Sequence, residues 1–281
     1  MTRGIAVLDL LHKFILALIS GITEFLPVSA AVHREIYQRI TGCTTPGQGF
    51  VLAVHIGCLA AIIACNQSKL RRFSRNKRMA RGRRGRGRPV DSAIWLDMRL
   101  LRAAAIPLII SILFYGKAGT LVSNLGILAL FLLLNGFLMM LPRLLSQGNK
   151  DSKMMSMLDA LFIGLGGAVG VIPGFSRTGA MTAFGLARGA ERSYALDFAL
   201  LLGIPSTAGV VIMDVYLMFA TKAPITFLAL LGWIAAGGVA YAGAYLSATL
   251  LRYLFQKSDG SDFAYYNWGM ALVSFILYLM F

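Results

Sequence analysis

Ser20-Gly-Ile-Thr-Glu-Phe-Leu-Pro-Val-Ser-Ala-Ala-Val-His33 decides how this chain folds. One acid, Glu24, lies inside an otherwise apolar region. It is followed by Pro27, by a hydroxyl at Ser29 and by an imidazole at His33. Hydrocarbon leaves no backbone group unsatisfied and admits few charges. The stretch therefore reads as a broken, re-entrant helix lining a polar cavity. The other half of the chain answers with Pro173-Gly-Phe-Ser-Arg-Thr-Gly-Ala-Met-Thr182, which carries the opposite charge at Arg177. A carboxylate and a guanidinium at membrane depth point to a site for a phosphate-bearing ligand, with a cation as a natural companion.

Composition agrees with this reading. Of 281 residues, 57% are hydrophobic and only 14% charged, and the mean hydropathy is +0.71. That is an all-α integral membrane protein rather than a soluble domain. The net charge of +15 is local: residues 69–88 hold eleven of the 27 Lys and Arg and no acid. The run reads as a flexible, topology-setting cytoplasmic loop with anionic-lipid contact, and no nucleic acid is expected as a partner. Cys43, Cys58 and Cys65 fit no metal spacing and no disulfide framework. No small-residue cleavage site follows the first apolar run, so no removable signal peptide is expected.

Outward from the opening stretch, residues 4–20 form a first apolar helix and Val28 to about Ile40 a polar second arm. Spans follow at 50–65, 93–115 and 125–141. Leu158–Val171 starts a second helix that breaks at Pro173 and Gly174, with an arm to about Arg188. Spans at 196–219, 225–250 and 264–281 complete the chain. Each half, 1–142 and 154–281, is thus a broken helix pair followed by three spans within a single membrane domain. An odd number of spans inverts the second half, which predicts an inverted-topology repeat of six transmembrane helices with two opposed re-entrant pairs. The basic loops at 66–92, 143–153 and 252–262 all fall inside by the positive-inside rule, leaving both termini outside.

Glu24 is the strongest single signal. Its plain alternative is a helix-end carboxylate at the interface, but its insertion cost of about 3 kcal/mol calls for a cation or an Arg partner. Arg177 has the geometry of a phosphate fork, against the alternative of a structural salt bridge. The helix starting after Gly174 offers free N–H groups and a positive dipole end, with hydroxyls at Ser176 and Thr178. His33 lies one turn after Ser29 and can serve as acid or base, unless it is a satisfied interface residue. His55, inside a span, has the weaker case. Gly164-Leu-Gly-Gly-Ala-Val-Gly170 lacks the lysine of a nucleotide loop and reads as close helix packing.

The two stretches carry a family resemblance. Ser20 to His33 is similar to the motif E-G-x-T-E-F-L-P-V-S-S-T-G-H of the bacterial undecaprenyl-diphosphate phosphatases, the bacitracin-resistance family. Pro173 to Met181 resembles their second motif, P-G-x-S-R-S-G-x-T, and the likeness runs over essentially the whole chain. It implies an enzyme of the bacterial cytoplasmic membrane. That enzyme hydrolyses undecaprenyl diphosphate to undecaprenyl phosphate at the outer face, recycling the carrier for cell-wall polymers with a divalent cation, Mg²⁺ or Ca²⁺. By the same resemblance Glu24 handles the metal or diphosphate, Ser29 and His33 are the motif serine and histidine, and Ser176 and Arg177 bind phosphate. Thr178, Gly179 and Thr182 complete the phosphate loop.

Several positions depart from the family pattern. Ser20 stands for the first glutamate, Ala30 and Ala31 for a serine and a threonine, and Met181 for the second-motif threonine, with Thr182 one residue on. Two readings follow. One is a phosphatase. The other is a non-catalytic polyprenyl-phosphate binder or flippase of the same fold, which the lost groups would suit. A homodimer is compatible with either.

Overall fold

The computed structural model describes residues 2–44, 46–81, 91–221 and 226–281, and those residues are helical throughout their regular parts. The first hairpin is α1 (Thr2–Phe25) and α2 (Ala30–Thr41). Helix α3 (Gln48–Cys65) leads to α4 (Gln67–Arg81). Then come α5 (Ser92–Ile112), the short α6 (Tyr115–Gly119) and α7 (Leu125–Leu144). The second hairpin is α8 (Met157–Val169) and α9 (Arg177–Ala187), followed by α10 (Arg192–Thr221), α11 (Phe227–Phe255) and α12 (Asp262–Met280).

Five of these helices, α3, α7, α10, α11 and α12, are long and apolar enough to cross a membrane. A sixth span arises if the bent pair Leu96–Ile112 and Tyr115–Ser123 is one crossing. The span expected over 93–115 is α5 as far as residue 112, after which the chain turns by 58° into Tyr115–Ser123. The basic run also differs from expectation, because Gln67–Arg81 is helix rather than loop. Residues 67–80 contain no glycine or proline and are rich in Lys and Arg, which form helix well. The glycine-interrupted remainder, 82–88, lies outside the described residues.

Polar side chains fix the helix starts. Asp91 caps α5 by accepting from the Ala93 and Ile94 amides. Asn124 caps α7, Thr226 caps α11, and Ser156 with Asp159 forms a reciprocal capping box on α8. Both hairpins are closed far from their tips. His12 Nδ1 on α1 lies 2.7 Å from the Tyr37 hydroxyl on α2. Arg188 Nε, just past α9, lies 2.6 Å from Asp159 Oδ1 at the start of α8. Each second arm therefore doubles back along its first.

Around the hairpins, α11 packs on α1 and α3, α5 packs on α8 and α10, and α7 packs on α12. Small residues permit the closest of these contacts. Gly21 sits on the Ala240 carbonyl of α11, and Gly164 sits on the Ala104 carbonyl of α5. The fully buried core includes Leu16, Phe25, Ile62, Leu100, Leu132 and Leu196. Leu228, Leu246, Phe219 and Leu279 face outward, as they must where lipid is the solvent.

Candidate functional site

The tips of the two hairpins meet. The first tip, residues 26–29, ends α1 at Phe25 and starts α2 at Ala30, with Pro27 between them. The second tip, 170–176, contains Gly174 at φ 106°. That conformation is closed to most side chains, and a Cβ there would also collide with Phe131.

The tips are stitched crosswise. The Gly174 amide donates to Ser29 Oγ at 3.1 Å, and Ser176 Oγ donates to the Leu26 carbonyl at 2.8 Å. Two asparagines from the surrounding spans hold the seam. Asn135 Nδ2 and Asn267 Nδ2 donate to the Pro27 carbonyl at 3.4 and 2.9 Å. Asn135 Oδ1 accepts from the Ser176 amide at 3.0 Å.

Beside this seam lies a cavity of about 120 Å³ whose wall includes Glu24, Ser29, Arg34, His55, Ser176 and Arg177. Arg177 donates through Nη2 to Glu24 Oε1 and through Nη1 to Ser206 Oγ at 3.3 Å. The pair is largely out of solvent, with Arg177 15% and Glu24 7% exposed. Glu24 thus takes an arginine as its partner. Gly170 makes this possible, because a Cβ at that position would occupy the space of the Arg177 stem. The N-terminus of α9 opens onto the same wall, where Ser176 caps the helix by accepting from the Gly179 amide at 3.1 Å.

The remaining residues expected at the site divide. Ser29 lines the cavity. His33 does not: its Nδ1 bonds the Ser29 carbonyl at 2.6 Å, and its Nε2 and ring meet Tyr266 of α12, the hydroxyl 2.7 Å away. Thr182 Oγ1 donates to the Thr178 carbonyl at 2.8 Å, and both residues are buried within the bundle. Gly179 packs against Met139 and Pro27. Of the positions where the sequence was expected to depart from the motifs, Ala30 and Ala31 line the cavity. Ser20 instead bonds the Leu16 carbonyl of its own helix at 2.7 Å, and Met181 packs beside Gly167.

Sequence reasoning missed three groups here. Asp214 of α10 is fully buried; it accepts from Gln48 Nε2 at 3.0 Å and pairs with His55 Nδ1 at 2.5 Å. An acid in the middle of an apolar span is itself a site signal, and that would have found it. Arg34 and Tyr115 also line the cavity. Arg34 adjoins the motif histidine and could have been read as a second cation at the same depth. Tyr115 reaches the wall only through the turn after α5, which no periodicity announces.

Among the described residues no group of three or more His, Cys, Asp or Glu could hold a metal ion. Among the described residues Glu24 is the one acid on the cavity wall. A divalent cation therefore fits only as a shared guest, ligated by Glu24 together with oxygens that a phosphate ligand would bring.

Fold and site together define a class: a multi-pass membrane protein with a charged cavity between the tips of two helix hairpins. The chain belongs to the family described as Bacitracin resistance protein BacA, whose family model matches residues 13–273. It is 30% identical to the undecaprenyl-diphosphatase of Desulforapulum autotrophicum, over 96% of this chain and 98% of that one. It is 31% identical to the undecaprenyl-diphosphatase of Thermodesulfovibrio yellowstonii, with the same coverage of both chains. It is 28% identical to that of Methanobrevibacter smithii, again over 96% and 98%.

Proposed function

We propose that this protein removes the terminal phosphate of undecaprenyl diphosphate in the bacterial cytoplasmic membrane, regenerating the lipid carrier of cell-wall synthesis. The observation that carries the proposal is the Arg177–Glu24 pair, set in a cavity wall at the junction of the two tips. A diphosphate entering the cavity competes with Glu24 for the Arg177 fork and meets the positive end of α9. Glu24, released from its partner, accepts the proton of a water attacking the terminal phosphorus. The bond from that phosphorus to the bridging oxygen breaks, and undecaprenyl phosphate leaves with the electron pair. Ser29 presents its hydroxyl to the phosphate oxygens, and His33, bonded to the Ser29 carbonyl, positions the first turn of α2. A bound Mg²⁺ or Ca²⁺, held by Glu24 and phosphate oxygens, would supply further neutralisation of the diphosphate.

The inverted repeat belongs to this reading, with residues 1–142 and 154–281 as its halves. Exchanging α1, α2, α3, α5 and α7 for α8, α9, α10, α11 and α12 preserves the packing pattern. Helix α1 lies on α11 as α8 lies on α5, α3 on α11 as α10 on α5, and α2 on α12 as α9 on α7. The placement of the basic loops inside is supported at the ends of α3, α10 and α11. Lys69 and Arg252 both pair with Asp197 there, and Arg252 Nη1 donates to the Cys65 carbonyl at 3.0 Å. Labelling of Ser258→Cys from the inside and of Thr226→Cys from the outside is the expected result, and the reverse pattern would refute the orientation.

The flippase or binder reading has one observation in its favour: Ala30 and Ala31 give the cavity wall methyl groups where the family pattern has hydroxyls. Phosphate release from undecaprenyl diphosphate by the purified protein decides between the two. We expect turnover with Mg²⁺ or Ca²⁺ that is lost in Arg177→Ala. Binding of the lipid without phosphate release would remove the enzyme reading and leave the carrier.

A further inference from the structure

We infer that Arg34 is the second anchor of the diphosphate and gives this cavity its preference for a diphosphate over a monophosphate head group. The inference deepens the proposed function and rests on it for the identity of the lipid. Arg34 lies on α2 and shares the cavity wall with Arg177 and Glu24. Among the described residues it makes no hydrogen bond or ion pair, whereas Arg177 is committed to Glu24 and Ser206.

A guanidinium always carries its charge, and at membrane depth an unpaired one is costly unless an anion completes it. Among the described residues of the cavity wall two guanidiniums face one acid, Glu24, and Arg177 already holds it, which leaves Arg34 for a ligand. Ala30 stands one helical turn before Arg34 and lines the same wall with a methyl group, so nothing there competes with the arginine for a ligand oxygen.

Arg177 with the α9 N-terminus suffices for one phosphate. A second forked donor on the opposing hairpin has work to do only if the ligand carries a second phosphate. Bidentate pairing of each phosphate by its own guanidinium is geometry that arginine provides and lysine does not. Recognition is then divided between the hairpins, Arg177 on the second and Arg34 on the first.

The test is direct binding of undecaprenyl diphosphate and undecaprenyl phosphate to the purified full-length protein in nanodiscs, in the wild type, Arg34→Gln and Arg34→Lys. The wild type is expected to bind the diphosphate more tightly. Arg34→Gln should weaken diphosphate binding about 10- to 100-fold, the range for losing a charge-assisted hydrogen-bonded pair. Monophosphate binding should change by about twofold or less, and Arg34→Lys should recover only part of the loss. An unchanged melting temperature for Arg34→Gln establishes that the change lies in recognition.

Equal weakening toward both lipids, or no weakening, overturns the role of Arg34. Selective loss in a protein that releases no phosphate would overturn the phosphatase reading and leave Arg34 as the diphosphate anchor. A wild type that binds neither lipid overturns both.

Discussion

The two hairpins share one plan and carry opposite chemistry. The first brings the acid Glu24, the hydroxyl of Ser29 and the unpaired Arg34; the second brings Arg177 and the positive end of α9. Their far ends differ too. His12 and Tyr37 close the first through a single hydrogen bond. Asp159 closes the second through Arg188 and, more weakly, Lys150 at 3.5 Å. Neither hairpin holds a complete site, so the cavity exists only where their tips are stitched. Two hairpins of like shape thus become a site by carrying different chemistry on the surfaces that face each other.

Removing the charge that joins the two hairpins should have the largest effect. Arg177→Ala is expected to lower phosphate release by a factor of about 100 or more, because it deletes the forked donor and leaves Glu24 buried without a partner. Adding Glu24→Gln should cost far less than the product of the two single losses, since the residues act as a unit; full additivity in the double variant would contradict the pairing.

Next comes the far end of the second hairpin. Asp159→Ala deletes the ion pair to Arg188 and half of the capping box on α8, with an expected loss of about 2 kcal/mol measured by melting in detergent. The matching change in the first hairpin, His12→Phe, removes one side-chain hydrogen bond and should cost about 1 kcal/mol or less. Equal losses would erase the distinction between the two closures.

The smallest expected effect concerns how each hairpin hands over to its next helix. The first leaves through Gly42, a left-handed C-cap at φ 66° with nothing to titrate. The second leaves through Glu191, which lies outside the spans. Burial pushes its carboxyl up, but the Ser193 amide and hydroxyl and the Tyr194 amide outweigh this and hold it below the usual carboxylate range. Its contribution is therefore complete at neutral pH and is lost as the pH falls through the carboxylate range. Glu191→Gln should remove that small part of the acid dependence of the melting temperature, while Gly42→Ala should lower stability equally at all pH values.

Much of this arrangement was legible before any coordinates. Glu24 and Arg177 announce themselves because a charge in an apolar stretch has few explanations, and Pro27, Pro173 and Gly174 mark the breaks because backbone geometry leaves them no other role. The direction of a side chain on its helix was not legible. Ser29 and His33 share a face by spacing, yet the His33 ring turns to Tyr266 on a helix 233 residues away in sequence. The hydroxyl of Thr182 looks like a phosphate ligand in a motif and instead donates to the Thr178 carbonyl inside the bundle, where Thr178 is buried too. The partner of His55 sits 159 residues along the chain, and no local pattern names it. The helix Gln67–Arg81 was concealed by its own charge, which reads as solvation although the residue types favour helix.

The crosswise stitching of the tips sets a timetable for assembly. Ser29 and Gly174 are separated by 145 residues, and Ser176 and Leu26 by 150. During synthesis at about 5–20 residues per second, the first tip waits roughly 7–30 s before its partners exist. Until then the Leu26 carbonyl has the Val28 amide at 2.7 Å but not the Ser176 hydroxyl. Completion of the cavity is thereby tied to synthesis of the second hairpin, and a ribosome-stalled product that ends before Gly174 would reach the membrane with its first tip unstitched.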